Sequence, residues 1–197
     1  IYSSGLARYT GDQLEVYGLD SGISSVAVRE LTLDGQGYVW VGSEKGLSVS
    51  NGASHKFYSN KDFRFRTNID DIELEGRNIV DGPAFHASTN RTYIITAHEL
   101  IGYQWTAGDK LKTFRRTTNP DDFDGLQSDG DLVWLFSKSK VVGFKDPFRE
   151  DSFSETVESP CARVRAFSRT DKQDWVGCQR GGLWRKQREL DDPWVLV

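Results

Sequence analysis

Hydrophobic and polar positions alternate in short runs along this chain, and no 3.6-residue helical periodicity or heptad pattern is sustained anywhere. In the stretch Val26–Leu33, for example, Val26, Val28 and Glu30 alternate with Ala27, Arg29 and Leu31. The pattern predicts a strand there, followed by strands over Tyr38–Ser43, Leu47–Ser50 and His55–Tyr58. Asp34-Gly35-Gln36-Gly37 joins the first two as a tight hairpin, because Gly accepts positive φ at little steric cost. A second set of strands is predicted at Ile69–Glu73, Thr92–Thr96, Ile101–Trp105 and Leu111–Arg115, with Glu75–Asn90 as a long connection. A third set covers Gly125–Asp129, Leu132–Ser137, Val141–Lys145 and Ser152–Val157. A fourth covers Val164–Arg169, Trp175–Gln179, Leu183–Lys186 and Trp194–Val197. Two more strands, Gly5–Tyr9 and Leu14–Tyr17, precede the first set.

The sets are copies of one unit. Val28-Arg29, a polar turn, Trp40-Val41-Gly42 and Gly46-Leu47 reappear in the same order as Val164-Arg165, a polar turn, Trp175-Val176-Gly177 and Gly182-Leu183. Weaker copies carry Tyr93-Ile94-Ile95 with Leu100–Tyr103, and Leu132–Leu135 with Val141–Phe144. The second-strand aromatics stand at Trp40, Tyr93, Trp134 and Trp175, a period of roughly 40 to 50 residues. Four short strands per unit at that period predict an all-β fold, a β-propeller fragment of about four and a half four-stranded antiparallel blades. The expected blades are 1–18 (the outer half), 26–59, 69–116, 125–158 and 164–197, within one domain spanning 1–197. Trp40, Tyr93, Trp134 and Trp175 are then structural, packing between neighbouring blades. Trp105, Trp184 and Trp194 fall outside this regular series.

Composition fits the same reading. Six Trp, seven Tyr, eleven Phe and 19 Gly in 197 residues favour short strands and tight turns. The net charge of −4 argues against a nucleic-acid partner. Arg163, Arg165 and Arg169 cluster in sequence, but acidic residues are spread among them and they read as a solvated mixed surface. No run approaches the roughly 20 apolar residues of a membrane span, so any membrane contact belongs to segments outside this chain. The chain opens at Ile1 without Met and carries no signal segment, which is expected of a fragment or processed product. A single bridge between Cys161 and Cys178 is open to an oxidising compartment. The strand reading, however, sets Cys178 opposite about Arg165, four residues from Cys161 and too far without a bend.

Candidate chemistry is sparse. His55, His86 and His98 lack metal-ligand spacing. Asp121, Asp122, Asp124, Asp129 and Asp131 are too irregular for a calcium loop. Ser137-Lys138-Ser139-Lys140 matches Ser-x-x-Lys without companion motifs and reads as a polar turn. Asn90-Arg91-Thr92 is a glycosylation sequon by pattern alone. No phosphate loop or dinucleotide fingerprint is present, and neither a cofactor nor a metal is expected.

Gly18-Leu19-Asp20-Ser21-Gly22-Ile23, Val28-Arg29, Asp34-Gly35-Gln36-Gly37, Tyr38-Val39-Trp40-Val41-Gly42 and Gly46-Leu47 resemble the two-component regulator propeller repeat. Val164–Trp184 resembles it too, without a Gly before Trp175. The resemblance implies a periplasmic or extracellular sensor region of a bacterial histidine kinase or diguanylate cyclase, dimeric in the full-length receptor. It implies a non-catalytic ligand-sensing or interaction module whose ligand is a small molecule, a glycan or a protein. An assembly scaffold without a small ligand is the alternative, as is a propeller lyase or glycan-degrading enzyme. The enzyme would need a converging His, Glu or Tyr cluster of shifted acidity at the channel mouth, which the sequence does not display. If strands run outward from the channel, the turns after each second strand share one face. The expected ligand-binding residues there are Glu44, Lys45, His98, Glu99, Lys138, Lys140, Gln179 and Arg180.

Overall fold

Short alternating strands joined by Gly- and Asp-rich turns cannot bury both faces of one sheet, so successive sheets must stack. In the computed structural model they do. It describes residues 5–43, 45–51, 58–59, 79–96, 99–107, 110–117, 123, 125–129, 131–188 and 192–197. A two-stranded hairpin of β1 (Leu6–Tyr9) and β2 (Leu14–Tyr17) comes first, followed by one 3-10 turn at Leu19–Ser21. Four antiparallel four-stranded blades follow, each a meander in chain order. Blade one is β3 (Val28–Leu33), β4 (Val39–Ser43), β5 (Gly46–Ser50) and β6 (Tyr58–Ser59). Blade two is β7 (Ile79–His86), β8 (Arg91–Thr96), β9 (Glu99–Thr106) and β10 (Lys110–Thr117). Blade three is β11 (Gly125–Ser128), β12 (Val133–Phe136), β13 (Lys140–Phe144) and β14 (Ser154–Glu158). Blade four is β15 (Val164–Arg169), β16 (Gln173–Cys178), β17 (Leu183–Gln187) and β18 (Val195–Leu196). The architecture is the β-propeller that the repeat predicts.

One strand differs from the sequence reading. The inner strand of blade two is Ile79–His86, inside the span read as a long connection; the expected Ile69–Glu73 lies outside the described residues. Gly82-Pro83 and two register shifts interrupt its alternation, which hid it from a period-two search.

The cores lie between blades. Trp40, Leu47 and Val49 of blade one meet Ile94, Ile101, Tyr103 and Leu111 of blade two. Tyr93 and Ile95 meet Leu126, Val133 and Leu135 of blade three. Trp134 and Phe136 meet Val164, Phe167 and Val176 of blade four. Trp40, Tyr93 and Trp134 are fully buried, each turned toward the following blade. Trp175 turns to the side of blade four that no described blade covers and is half-buried.

Each buried ring also needs its polar atom satisfied. Asp34, 7% exposed, ends β3 and does this for two blades at once. Its Oδ1 accepts the N–H groups of Gln36 and Tyr38 at 2.9 Å, closing the hairpin. Its Oδ2 accepts the indole N–H of Trp40 at 2.7 Å and that of Trp105, from blade two, at 2.9 Å. Asp129 repeats the clasp on Trp134 at 2.6 Å. In blade two the pair becomes Thr89 and the Tyr93 hydroxyl at 2.9 Å. In blade four Thr170 holds the corresponding turn, accepting from and donating to Gln173.

Near the axis the inner strands are stitched to one another by side chains. The Glu30 carboxyl accepts the N–H of Gly82. Asp81 accepts the N–H of Leu126 at 2.7 Å. Gln127 accepts the N–H of Phe167 at 3.3 Å and donates to its carbonyl at 2.8 Å. Gly42 makes the closest approach: a Cβ there would sit 2.2 Å from the Gly82 carbonyl oxygen.

Cys161 and Cys178 are bridged, with Cα atoms 6.2 Å apart. The sequence reading overestimated their separation for two reasons. A register shift sets Cys178 opposite Val164 rather than Arg165. The chain also turns at Ser159, whose Oγ accepts the Cys161 N–H at 3.2 Å.

Two outcomes are expected in unfolding experiments. Asp34→Ala strands two indole donors and two hairpin amides and should cost about 3 kcal/mol, Asp34→Asn markedly less; an unchanged midpoint for the alanine variant removes the clasp as a source of stability. Replacing both cysteines by serine frees a loop of sequence separation 17 and should cost about 2–3 kcal/mol in urea titration.

Candidate recognition face

In each of the four blades the end of the second strand meets the first residue of the inner strand at the same end of the sheet. The register shows this: Val28 pairs with Ser43 and Val164 with Cys178, each at the end of a second strand. The sequence-predicted residues distribute as follows. Lys45 is exposed in the first turn, while Glu44 and His98 lie outside the described residues. Glu99 opens β9, half-buried, in an ion pair with Arg115 at 3.0 Å. Lys138 and Lys140 are exposed on either side of Ser139. That turn is held by Ser137, whose Oγ accepts the Lys140 N–H at 3.1 Å. Gln179 and Arg180 are exposed in the fourth turn. Of the eight residues, these two share a cavity, of about 330 Å³, with Ala162 and Arg163.

Register shifts shape the inner rim. Arg29 is the extra residue between Val28 and Glu30, and Arg165 the extra residue between Val164 and Ala166. The repeated Val-Arg step is therefore a β-bulge, a device that re-aims a side chain. Both arginines are exposed. Sequence reasoning assigned Arg163, Arg165 and Arg169 to one mixed surface, and the structure separates them. Arg169 runs to the opposite end of β15, where Asp174 accepts its Nε at 2.7 Å and Glu155 also pairs with it. Arg163 Nη1 and Arg165 Nη2 instead converge on Gln179 Oε1, at 3.2 and 3.3 Å.

Across the rim, Glu30 and Asp81 are hydrogen-bonded carboxyls on adjacent inner strands. Burial, reinforced by the Asp81 charge, pushes the Glu30 carboxyl up to about 7. Burial also raises Asp81, against the Leu126 N–H and the positive charge of Arg165, which lower it. Those two influences favour the anion on Asp81, so the shared proton rests on Glu30. The sequence did not single out this pair. Glu30 reads as an ordinary strand alternation, and Asp81 sits in the strand that was missed. The recurrence of Val-Arg at the start of an inner strand was the one legible sign of the rim.

Among the described residues no group of three or more His, Cys, Asp or Glu side chains is placed to hold a metal. His86 is fully buried, its imidazole held below the ordinary range by desolvation, with Nδ1 3.0 Å from Thr89 Oγ1.

Stacked four-stranded blades with cores between them define a β-propeller. Among solved structures the chain is similar to the extracellular domain of a B. thetaiotaomicron protein described as a one-component system, at 20% identity with a TM-score of 0.60, over 87% of this chain and 21% of that one. A second structure of that domain, described as part of a hybrid two-component system, gives 20% identity and a TM-score of 0.57. The chain is also similar to a gluconolactonase from Xanthomonas campestris, at 14% identity and a TM-score of 0.57, over 89% of this chain and 63% of that one. A virginiamycin B lyase from Staphylococcus aureus gives 11% identity and a TM-score of 0.58 over 97% and 62%. The chain thus spans about a fifth of the extracellular-domain structure and under two thirds of the two enzymes. No family model matches it, and no curated protein sequence does. Among the described residues no helix is long and apolar enough to cross a membrane.

The Glu30 carboxyl carries a pH prediction. Its folded acidity lies above the unfolded one, so the folded state holds the extra proton between about pH 4.5 and 7. Stability is then greatest below that window and declines as pH rises through about 7. Glu30→Gln keeps the hydrogen bonds and should remove this slope. At pH 8 the variant should exceed the parent by about 1 kcal/mol, a figure reduced for the partial exposure of the group. Parallel pH profiles of the two proteins would contradict the assignment.

Proposed function

We propose that this propeller is a non-catalytic ligand-sensing or interaction module of an extracytoplasmic bacterial signalling protein, binding through the face described above. The observation that carries the reading is the placement of mobile-length charged side chains, Lys138, Lys140 and Arg180, on turns whose backbones are fixed by hydrogen bonds. Loops held by a rigid scaffold are the usual place for recognition. The similarity to an extracellular domain of a bacterial signalling protein supports the location. A ligand, whether small molecule, glycan or protein, would prefer one of two arrangements of a dimeric receptor. That difference in affinity would shift its output domain.

A second reading, a propeller enzyme, is favoured by one observation: the carboxyl pair at the rim, with Glu30 raised to about 7, has the shifted acidity that proton transfer at neutral pH uses. The gluconolactonase and lyase similarities accord with it. Against it, both carboxyls are already occupied in accepting backbone N–H groups of the neighbouring blade.

Thermal-shift screening against mono- and oligosaccharides and amino acids separates these readings. A recognition module should be stabilised by a ligand, by about 2.7 kcal/mol at a hundred times its Kd. Lys138→Ala, Lys140→Ala and Arg180→Ala combined should weaken that ligand at least tenfold while changing stability by about 0.5 kcal/mol or less. Turnover of gluconolactone that Glu30→Gln abolishes would instead establish the enzyme. Stabilisation by no ligand, with no turnover, would leave the assembly scaffold.

A further inference from the structure

We propose that the cleft between blades three and four, beside Trp194, binds the ring of a neutral saccharide. The cleft has a volume of about 460 Å³ and is bounded on one side by β14 and on the other by the ends of β15 to β17 and by Trp194. None of the eight residues expected on the recognition face lines it. The proposal therefore goes beyond the reading above and does not rest on it.

Trp194 stands outside the repeated series of Trp40, Tyr93, Trp134 and Trp175. Part of its ring packs on the core shared by blades three and four, and the residue is half-buried. Its indole N–H donates to the Glu158 carbonyl at 3.0 Å. That bond holds the ring in place and leaves its apolar surface as what it offers the cleft. A pyranose is amphipathic in a matching way, with an apolar C–H face and a rim of hydroxyls. It needs an aromatic or apolar wall on one side and hydrogen-bonding groups around it.

The polar groups are of both kinds. Arg169 donates to Asp174 through Nε at 2.7 Å and Nη2 at 2.8 Å, and also pairs with Glu155. Lys186 lies directly opposite Asp174 in the ladder between β16 and β17. Arg188 donates to the Thr170 carbonyl at 3.1 Å, and its Nε stands 3.8 Å from Asp174. Cations and carboxylates thus face one another along this wall. A charged ligand would have to draw such a pair apart, and separating a largely buried pair is costly. A hydroxyl both donates and accepts, so it joins the network without dismantling it; a carboxylate has about four acceptor sites, of which Arg169 takes one on each Asp174 oxygen. The opposite wall supplies backbone groups. Among the described strands β14 pairs with β13 alone, so its other edge is left for the cleft. The Glu158 carbonyl on that edge meets Trp194, and Thr156 lies two residues along it. These groups are held by one another before any ligand arrives, which lowers the entropy lost on binding. A volume of about 460 Å³ falls within the roughly 300–1,000 Å³ of small-ligand clefts.

Isothermal titration and saturation-transfer NMR of the full chain test the cleft with the methyl glycosides of glucose, galactose, mannose and N-acetylglucosamine, with cellobiose, and with glucuronate as the charged counterpart. Saturable binding of at least one neutral sugar is expected, with transfer strongest to its ring C–H protons, and glucuronate should bind no more tightly. Trp194→Leu keeps apolar packing and removes the aromatic ring, so it should weaken the sugar by about tenfold or more. Trp194→Phe keeps a ring and should lose less. Lys186→Ala removes one donor and should weaken the sugar by about threefold or more. If the leucine variant does not fold, the phenylalanine and lysine variants decide. Absence of saturable binding by every neutral sugar overturns the proposal, as does unchanged binding by Trp194→Leu or an equal loss in the leucine and phenylalanine variants. Tighter binding of glucuronate than of any neutral sugar overturns it as well. A sugar that Lys138→Ala, Lys140→Ala and Arg180→Ala combined weaken, and that Trp194→Leu leaves alone, belongs to the recognition face; the cleft then falls and that reading stands. A sugar lost with Trp194→Leu and indifferent to the three other changes supports the cleft and lends the face nothing.

Discussion

The structure depends on burying a large aromatic ring between two sheets while giving its one polar atom a partner. Each blade alone is a small twisted sheet with apolar residues on both faces, and neither face is covered within the blade. Trp40 and Trp134 are wholly buried only because the next blade lies over them. An indole N–H in such a place is costly without an acceptor. Asp34 and Asp129 supply it from the end of the preceding strand, so the residue that closes the hairpin also fixes the depth of the ring. Asp34 goes further by accepting Trp105 from the adjoining blade. A turn aspartate is thereby converted into an inter-blade joint.

A second constraint operates at the axis. Inner strands are the free edges of their sheets and present backbone N–H groups that no strand pairs. Here side chains of the preceding blade take up some of them, through Glu30, Asp81 and Gln127 in turn. This arrangement explains why acidic groups persist at the rim at the cost of desolvation. It also explains why their altered acidity is not by itself a sign of catalysis: a carboxyl that must accept an amide N–H in a crowded edge acquires a shifted acidity as a by-product.

The repeat was legible because the same residue types perform the same task at each recurrence. The Trp-Val-Gly strand and its polar turn stand out in blades one and four, and spacing locates the others. The legible part thus comprises the blade count, the turns and the positions of the buried aromatics. The inner strand of blade two was not legible, since Gly82-Pro83 and two bulges erase the alternation by which a strand is recognised. The cysteine bridge stayed open in the sequence because a strictly regular ladder anticipates neither the one-residue register shift at Val164 nor the chain turn at Ser159. The place of Gln179 and Arg180 in the fourth turn was legible from the repeat. The convergence of Arg163 and Arg165 on Gln179 was not, because a bulge decides where the second of them points. Blade four shows the converse case: Trp175 retains the aromatic, yet the acidic turn residue has become Thr170, and the ring is half-buried rather than enclosed.

Gly42 sits where blade one comes up against the backbone of blade two. With no side chain there, the backbone of blade one comes directly against Gly82 of blade two, while two residues earlier on the same strand Trp40 holds its ring centroid 5.6 Å from that of Tyr103. One strand of blade one thus carries both a close backbone approach to blade two and a large ring buried against it. A methyl group at position 42 would run into the Gly82 carbonyl oxygen and the Pro83 ring, so alanine there could be seated only by driving the two blades apart at that point.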